Sequence, residues 1–108
     1  MPSTIRTAHP RTDPEYRKRQ VVLDERTDTT LQQLTETMRR VTGTRLTTSH
    51  AVRALLRAVE PSLPLLATRA VPAEATFLPN NAPRFADHRI RYEQALTRLL
   101  SEALRSLA

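Results

Sequence analysis

The sequence predicts a mainly α-helical fold in which one short β-strand pairs with the same strand of a second copy. The stretch from Arg17 to Glu25 (RKRQVVLDE) is typical of a short basic strand, and everything after it has the pattern of helix or loop. An isolated strand leaves backbone N–H and C=O groups unpaired, and a two-stranded ribbon is marginal unless helices cover it. Antiparallel pairing of two copies across a twofold axis is the simplest solution. We therefore expect a strand-helix-helix dimer, followed by a Pro-rich connection and a C-terminal amphipathic helix.

The composition also favours a small protein that needs a second copy. The chain has 108 residues, eight of them proline, and a core of about forty residues is hard to stabilise alone. Seventeen basic against eleven acidic side chains give a net charge of +6, which is typical of proteins that bind polyanions. The charge does not locate a site, because residues 1–26, 27–60 and 61–108 each carry a net +2.

The residue types exclude several functional classes. The chain has no cysteine, which rules out a disulfide framework, a thiolate metal site and a cysteine nucleophile. His9, His50 and His88 share no metal-ligand spacing, and Ser49 has neither a glycine elbow nor a paired base. No apolar run approaches the length of a membrane span, and the N-terminus has no hydrophobic signal region. We expect a cytoplasmic protein that is not an enzyme, holds no cofactor or metal, and has no membrane partner.

The first 24 residues divide into an arm and the strand. Residues 1–16 contain three prolines and little apolar surface, so we expect a flexible basic arm. The strand should cover about residues 18–24, with Val21 and Leu23 facing inward. Because side chains alternate along a strand, the opposite face carries Lys18, Gln20 and Val22.

A first helix is predicted from about Asp28 to Val41. Thr27 or Asp28 offers a capping oxygen at its start. Gly43, the only glycine of the chain, lies where a helix end requires a left-handed residue. Apolar residues recur at steps of three and four along this segment: Leu31, Leu34, Met38 and Val41.

A second helix is predicted to begin after Leu46 and to stop at Pro61. The hydroxyl run from Thr47 to Ser49 offers N-terminal caps. Its apolar face contains Ala51, Val52, Leu55, Leu56 and Val59.

The rest of the chain is predicted to be a broken connection and a third helix. Residues 61–86 hold five prolines among several apolar residues, so we expect an extended segment that packs partly on the domain. The third helix should run from about Asp87, a candidate cap, to Ser106. Its wide apolar face must be buried on the domain, on a second copy or on a partner helix. The predicted organisation is an arm (1–16), a strand-helix-helix domain (17–60), a Pro-rich connection (61–86) and an amphipathic helix (87–108).

The order strand, helix, glycine turn, helix over residues 17–60 resembles the ribbon-helix-helix family of bacterial and phage DNA-binding proteins. The most specific part is the stretch from Leu46 to Leu56 (LTTSHAVRALL), which is similar to the family's second-helix entry. It has an apolar residue, a Ser/Thr cap, a second small polar residue and then an apolar-apolar-basic run. The strand end from Val22 to Glu25 (VLDE) is similar to the strand-to-helix junction of small plasmid-partition members.

This resemblance implies two kinds of contact with DNA. Outward strand side chains would read base edges, since Lys can donate to guanine, Gln can pair with adenine, and an apolar side chain can meet a thymine methyl. The base-reading residues are then Lys18, Gln20 and Val22. Backbone N–H groups at the second helix start would hold a phosphate, because the positive helix end favours an anion. The implied phosphate-binding residues are Arg17, Arg19, Arg45, Thr47, Thr48 and Ser49, which position the protein without specifying sequence.

Three functions remain open from the sequence. The first is a site-specific homodimer on double-stranded DNA, with its ribbon in the major groove, that acts as a repressor, autoregulator or partition-type centromere binder. Such dimers could form higher oligomers on DNA. The second is an antitoxin whose N-terminal part binds the operator and whose C-terminal segment, residues 87–108, binds a toxin. The third is a helical adaptor that binds proteins and no DNA.

Overall fold

A computed structural model describes residues 15–107 of the chain. The chain divides into two compact units, Met1–Thr30 and Leu31–Ala108, and the boundary lies within the first helix. The predicted arm of residues 1–16 lies almost wholly outside the described residues. The four α-helices of the described part are α1 (Glu25–Thr42), α2 (Thr48–Val59), α3 (Leu63–Ala67) and α4 (Ala86–Arg105). Single 3₁₀ turns occupy Glu60–Ser62, Ala73–Ala75 and Pro83–Phe85.

The predicted β-strand does not form, so the expected ribbon-helix-helix fold is wrong. No residue between 15 and 107 belongs to a strand, and residues 15–24 have no regular secondary structure. Val21 is 72% exposed and Leu23 is 37% exposed, so the predicted inward face is not buried. The physical reason is that a strand exists only through a ladder of hydrogen bonds to a neighbour. The rest of the described chain is helix and turn, which offers no such edge.

The first helix begins at Glu25, three residues before the predicted start at Asp28, because Asp24 caps it. The carboxylate Oδ1 of Asp24 accepts a hydrogen bond from the Thr27 N–H at 2.8 Å, and the Asp28 N–H donates to the Asp24 carbonyl at 2.9 Å. The expected cap at Thr27 or Asp28 is therefore wrong. Hydrogen bonds from the side chain and backbone of Thr27 hold the pKa of the Asp24 carboxyl below its ordinary value of 3.8.

The end of α1 is the one predicted from the glycine. Gly43 has a φ of +67°, which is the left-handed conformation that glycine adopts without strain, and its N–H donates to the Arg39 carbonyl at 2.8 Å. Thr42, the residue before Gly43, also stabilises the turn. Its hydroxyl donates to the Met38 carbonyl at 2.7 Å and lies 2.8 Å from the Thr44 hydroxyl. These bonds satisfy backbone groups that a helix end leaves unpaired.

The second helix and its boundaries are also confirmed. It starts after the Thr47 cap and ends at Val59, two residues before Pro61. A proline cannot donate the backbone hydrogen bond that would continue the helix, and the chain turns through Glu60–Ser62 instead. Ser62 is completely buried, and its hydroxyl donates to the Val59 carbonyl at 2.6 Å.

The Pro-rich connection is more structured than expected. It forms α3 and two 3₁₀ turns, and these elements pack against α4. Arg89 of α4 holds the bend that precedes the 3₁₀ turn Pro83–Phe85, because its Nη1 donates to the carbonyls of Asn80 and Ala82 at 2.8 and 2.9 Å. At the other end of α4, Arg69 donates to the Glu102 carbonyl at 3.0 Å and to the Ser106 hydroxyl. The Glu102 carbonyl also accepts from the Ser106 N–H at 3.2 Å, so the guanidinium adds a second donor at the C-terminus of the helix.

The predicted third helix is α4, within one residue at each end. Asp87 does not cap it, because the helix starts at Ala86 after Phe85 and has no side-chain cap. Small residues, Ala95 and Ala103, form its fully buried positions. Complete burial is rare across the described residues, and the largest fully buried side chain is that of Ser62.

A pH titration tests the Asp24 cap. Because the folded pKa is depressed, the charged cap stabilises the helix above pH 3.8, and this contribution is lost as the pH falls from 3.8 through the lowered value. The Thr27 amide shift, followed by NMR, should titrate with a midpoint below 3.8. Asp24→Asn retains an acceptor oxygen but should abolish this titration. A midpoint at or above 3.8 would contradict the cap.

Substitution of Gly43 tests the turn. An added Cβ would meet no atom within 4 Å, so Gly43→Ala changes only the backbone energy. We expect a loss of about 1 kcal/mol in the free energy of unfolding, measured in urea. Gly43→Asn should cost less, because Asn tolerates the left-handed conformation. Equal stability of Gly43→Ala and the parent chain would argue against the observed turn.

Candidate nucleic-acid interface

The residues predicted to contact DNA fall into two groups. Arg17, Lys18, Arg19, Gln20 and Val22 lie in the irregular segment of the Met1–Thr30 unit. The remaining residues lie at the start of α2, in the Leu31–Ala108 unit: Arg45, Thr47, Thr48 and Ser49. All members of both groups are exposed.

The irregular segment carries basic side chains without a fixed face. Arg17 lies 3.5 Å from the Glu15 carboxylate, but both side chains are more than 70% exposed, so this ion pair orders little. The expected alternation of Lys18, Gln20 and Val22 on one side required a strand. Without a ladder, the backbone does not determine which of these side chains share a surface.

The start of α2 is held by a reciprocal capping arrangement. The Thr47 hydroxyl oxygen accepts from the His50 N–H at 3.4 Å, while the Thr47 N–H donates to Nδ1 of His50 at 3.1 Å. Thr47 has φ −99° and ψ 170°, the extended geometry of an N-cap residue. Glu or Gln is usual at the position of His50. Here the imidazole nitrogen supplies the acceptor, which requires the ring proton of a neutral His50 on Nε2.

This arrangement leaves two backbone donors free at the helix start. Thr47 and His50 use their own N–H groups within the cap, and Ala51 donates to the Thr47 carbonyl at 3.1 Å. The N–H groups of Thr48 and Ser49 have no hydrogen-bond partner among the described residues, and both residues are exposed. Adjacent free N–H groups at the positive end of a helix form an anion-binding position.

The loop before α2 contains Arg45, three residues before Thr48. Arg39 of α1 stabilises the loop, since its Nε donates to the Leu46 carbonyl at 2.8 Å and its Nη1 lies 3.6 Å from the Glu36 carboxylate. Arg45 itself is exposed and has no ion pair within residues 15–107. An unpaired arginine and two free backbone N–H groups therefore lie within five residues of sequence, Arg45 to Ser49, and these are donor types that bind phosphate.

The charge of α2 agrees with that use. The helix contains no acidic residue, and its Arg53 is exposed. Sequence reasoning missed the part played by His50 in the cap and that of Arg39 in the loop. The His50 contact had a usable signal, its place three residues after a Thr cap, but the Arg39 contact depends on how the loop folds. The described residues contain no cluster of three or more potential metal ligands, and none of their helices is long and apolar enough to cross a membrane.

Substitutions of His50 and Thr47 test the capping arrangement. Thr47→Ala should lower the free energy of unfolding by about 1 kcal/mol. His50→Gln should be nearly neutral, because Gln can return the same hydrogen bond. His50→Ala should be less stable than His50→Gln, although Ala is the better helix former. If urea unfolding shows His50→Ala to be the more stable of the two, the imidazole does not cap α2.

Comparison with known proteins does not assign the chain to a family. No protein-family model, curated protein or solved structure matches it. The function proposed below therefore rests on the chain's own geometry and charge.

Proposed function

We propose that this chain is a sequence-specific DNA-binding homodimer that acts as a repressor, an autoregulator or a partition-type centromere binder. The observation that carries the proposal is the start of α2, where the backbone N–H groups of two exposed residues, Thr48 and Ser49, are free, and the exposed Arg45 precedes Thr48 by three residues. The net charge of +6 supports a polyanionic ligand.

In this proposal the start of α2 anchors the protein on the DNA backbone. The N–H groups of Thr48 and Ser49 donate to one phosphate, and Arg45 adds a charge-assisted bond. Thr47 takes part indirectly, because its hydroxyl and N–H hold the first turn in place. Such contacts set the register of the protein on the duplex but carry no sequence information.

We assign recognition of the DNA base sequence to the basic segment of the Met1–Thr30 unit, which does not form a β-ribbon. Lys18 and Gln20 retain the donors and acceptors that base edges require, whereas Val22 contributes only an apolar contact. Arg17 and Arg19 supply further phosphate contacts. These roles, the double-stranded DNA partner, the higher oligomers on DNA and the cytoplasmic location remain predictions.

The antitoxin hypothesis is the second candidate. Several large apolar side chains before and within α4 are exposed, including Phe77 (77%), Leu78 (66%) and Ile90 (55%). Exposed apolar patches of this kind are typical of protein-binding surfaces. Binding of a second protein to residues 61–108 alone would favour this candidate over a simple repressor.

The proposed anchor is tested by removing one backbone donor. Thr48 is the first residue of α2, a position where proline is well tolerated, and the extended Thr47 before it is compatible with proline. Thr48→Pro removes the N–H, while Thr48→Ala removes only the side chain. Fluorescence anisotropy should show about tenfold weaker binding for Thr48→Pro, equal for cognate and shuffled DNA, and little change for Thr48→Ala.

The duplex for this measurement is the DNA upstream of the protein's own gene, with a shuffled duplex as the control. Binding to the upstream DNA should survive near-physiological salt, whereas the shuffled duplex should be released. If both duplexes are released equally as the salt concentration rises, the protein binds DNA only through nonspecific charge attraction, and the proposed specific binding is wrong. Circular dichroism of Thr48→Pro must match the parent chain for its result to count.

A further inference from the structure

A shallow apolar groove lies where α2 ends and the chain turns into α3. Leu56, Val59 and Leu63 form its apolar lining, and Arg57 and Glu60 complete its wall. The groove has a volume of about 550 Å³. It belongs entirely to the Leu31–Ala108 unit and does not include the residues proposed to hold a phosphate.

The groove has a fixed shape because the turn beneath it is well held. The 3₁₀ turn Glu60–Ser62 packs against both α2 and α3. The buried Ser62 hydroxyl donates to the Val59 carbonyl at 2.6 Å, and Pro61 restricts the backbone at the bend. Leu63 is therefore brought to the same surface as Leu56.

This surface is unusually apolar for exposure to water. Leu56 is 60% exposed, Leu63 is 52% exposed and the neighbouring Leu55 is 48% exposed. The described residues fully bury only small side chains, the largest being that of Ser62. Burial of the leucines against a partner would therefore add apolar contact that the chain alone lacks.

The charges beside the leucines are complementary to those of a second copy. Arg57 and Glu60 have no ion pair with any other described residue. In a twofold interface both copies use the same surface. If one residue of the first copy faces a second residue of the partner, that second residue of the first copy faces the first residue of the partner. Antiparallel packing of two such grooves would place Arg57 opposite the partner's Glu60 and Glu60 opposite the partner's Arg57. A +6 chain needs this local complementarity, because two copies otherwise repel each other.

We propose that the surface formed by Leu55, Leu56, Val59 and Leu63, flanked by Arg57 and Glu60, is the homodimer interface of this protein. The inference rests on the homodimer part of the proposed function and names its surface. Helices therefore carry the dimer contact, and the irregular segment does not. Each dimer then presents two copies of the α2 start, related by the twofold axis.

Charge reversal tests the reciprocal pairing without DNA. Arg57→Glu places two acidic residues on each groove, and Glu60→Arg places two basic residues there, so each variant should self-associate about tenfold more weakly than the parent chain. An equimolar mixture should restore association as a heterodimer, because both cross-pairs become attractive. Sedimentation equilibrium gives the dissociation constants, and native mass spectrometry gives the composition of the dimers.

The matched controls are Arg91→Glu and Glu102→Arg, which change the same charges at exposed positions of α4 outside the groove. Their mixture should show no heterodimer preference. Leu56→Gln should weaken the dimer, whereas Ile90→Gln, at another exposed apolar position, should not. Circular dichroism confirms that each variant retains its helices.

Two results would overturn the inference. One is a monomeric parent chain at every concentration studied, which would leave the groove to a different protein. The other is a mixture of the Arg57→Glu and Glu60→Arg chains in which dimers form at random, with no preference for the heterodimer. DNA binding is measured separately, so a dimer that fails to bind DNA would refute the proposed function and leave the interface standing.

Discussion

The described structure depends on hydrogen bonds at the ends of its helices. The ends of a helix leave backbone groups unpaired. Residues 15–107 fully bury only small side chains, so they have little packing energy to offset an unsatisfied helix end. Asp24 begins α1, Gly43 ends it, and Thr47 with His50 begins α2. Each contact is local in sequence, so the helix boundaries follow from short segments of the chain.

The hydrogen bonds that cap α2 also explain the candidate phosphate position. A capping arrangement satisfies only some of the donors at a helix start, and here it uses the N–H groups of Thr47 and His50. The two residues between them keep theirs exposed. A structural requirement of the helix thus leaves a surface feature that an anion can use, and Arg45 precedes it by three residues in the chain.

The small core has a second consequence, which is the amount of apolar surface left exposed. Leucines remain uncovered on α2 and α3, and other apolar residues remain uncovered before and on α4. These surfaces differ in their charges. The α2–α3 surface carries one cation and one anion, Arg57 and Glu60, which suits a copy of itself. A second groove, between residues 78–81 and α4, also carries one anion and one cation, Glu93 and Arg89. There the cation is already used, because Arg89 donates to two carbonyls of its own chain.

The sequence by itself determined several helix boundaries, but not the start of α1 after Asp24 or the short helix α3. The positions of Gly43, Thr47 and Pro61 correctly predicted the end of α1 and both ends of α2, and the apolar spacing correctly predicted α4. These features depend on contacts within a few residues, which a sequence pattern records directly. Only the structure decided that residues 18–24 form no strand, that the Pro-rich connection folds onto α4, and that Leu63 joins Leu56 in one groove. Strand formation and surface assembly require partners distant in the chain or on another chain, and no local pattern specifies them.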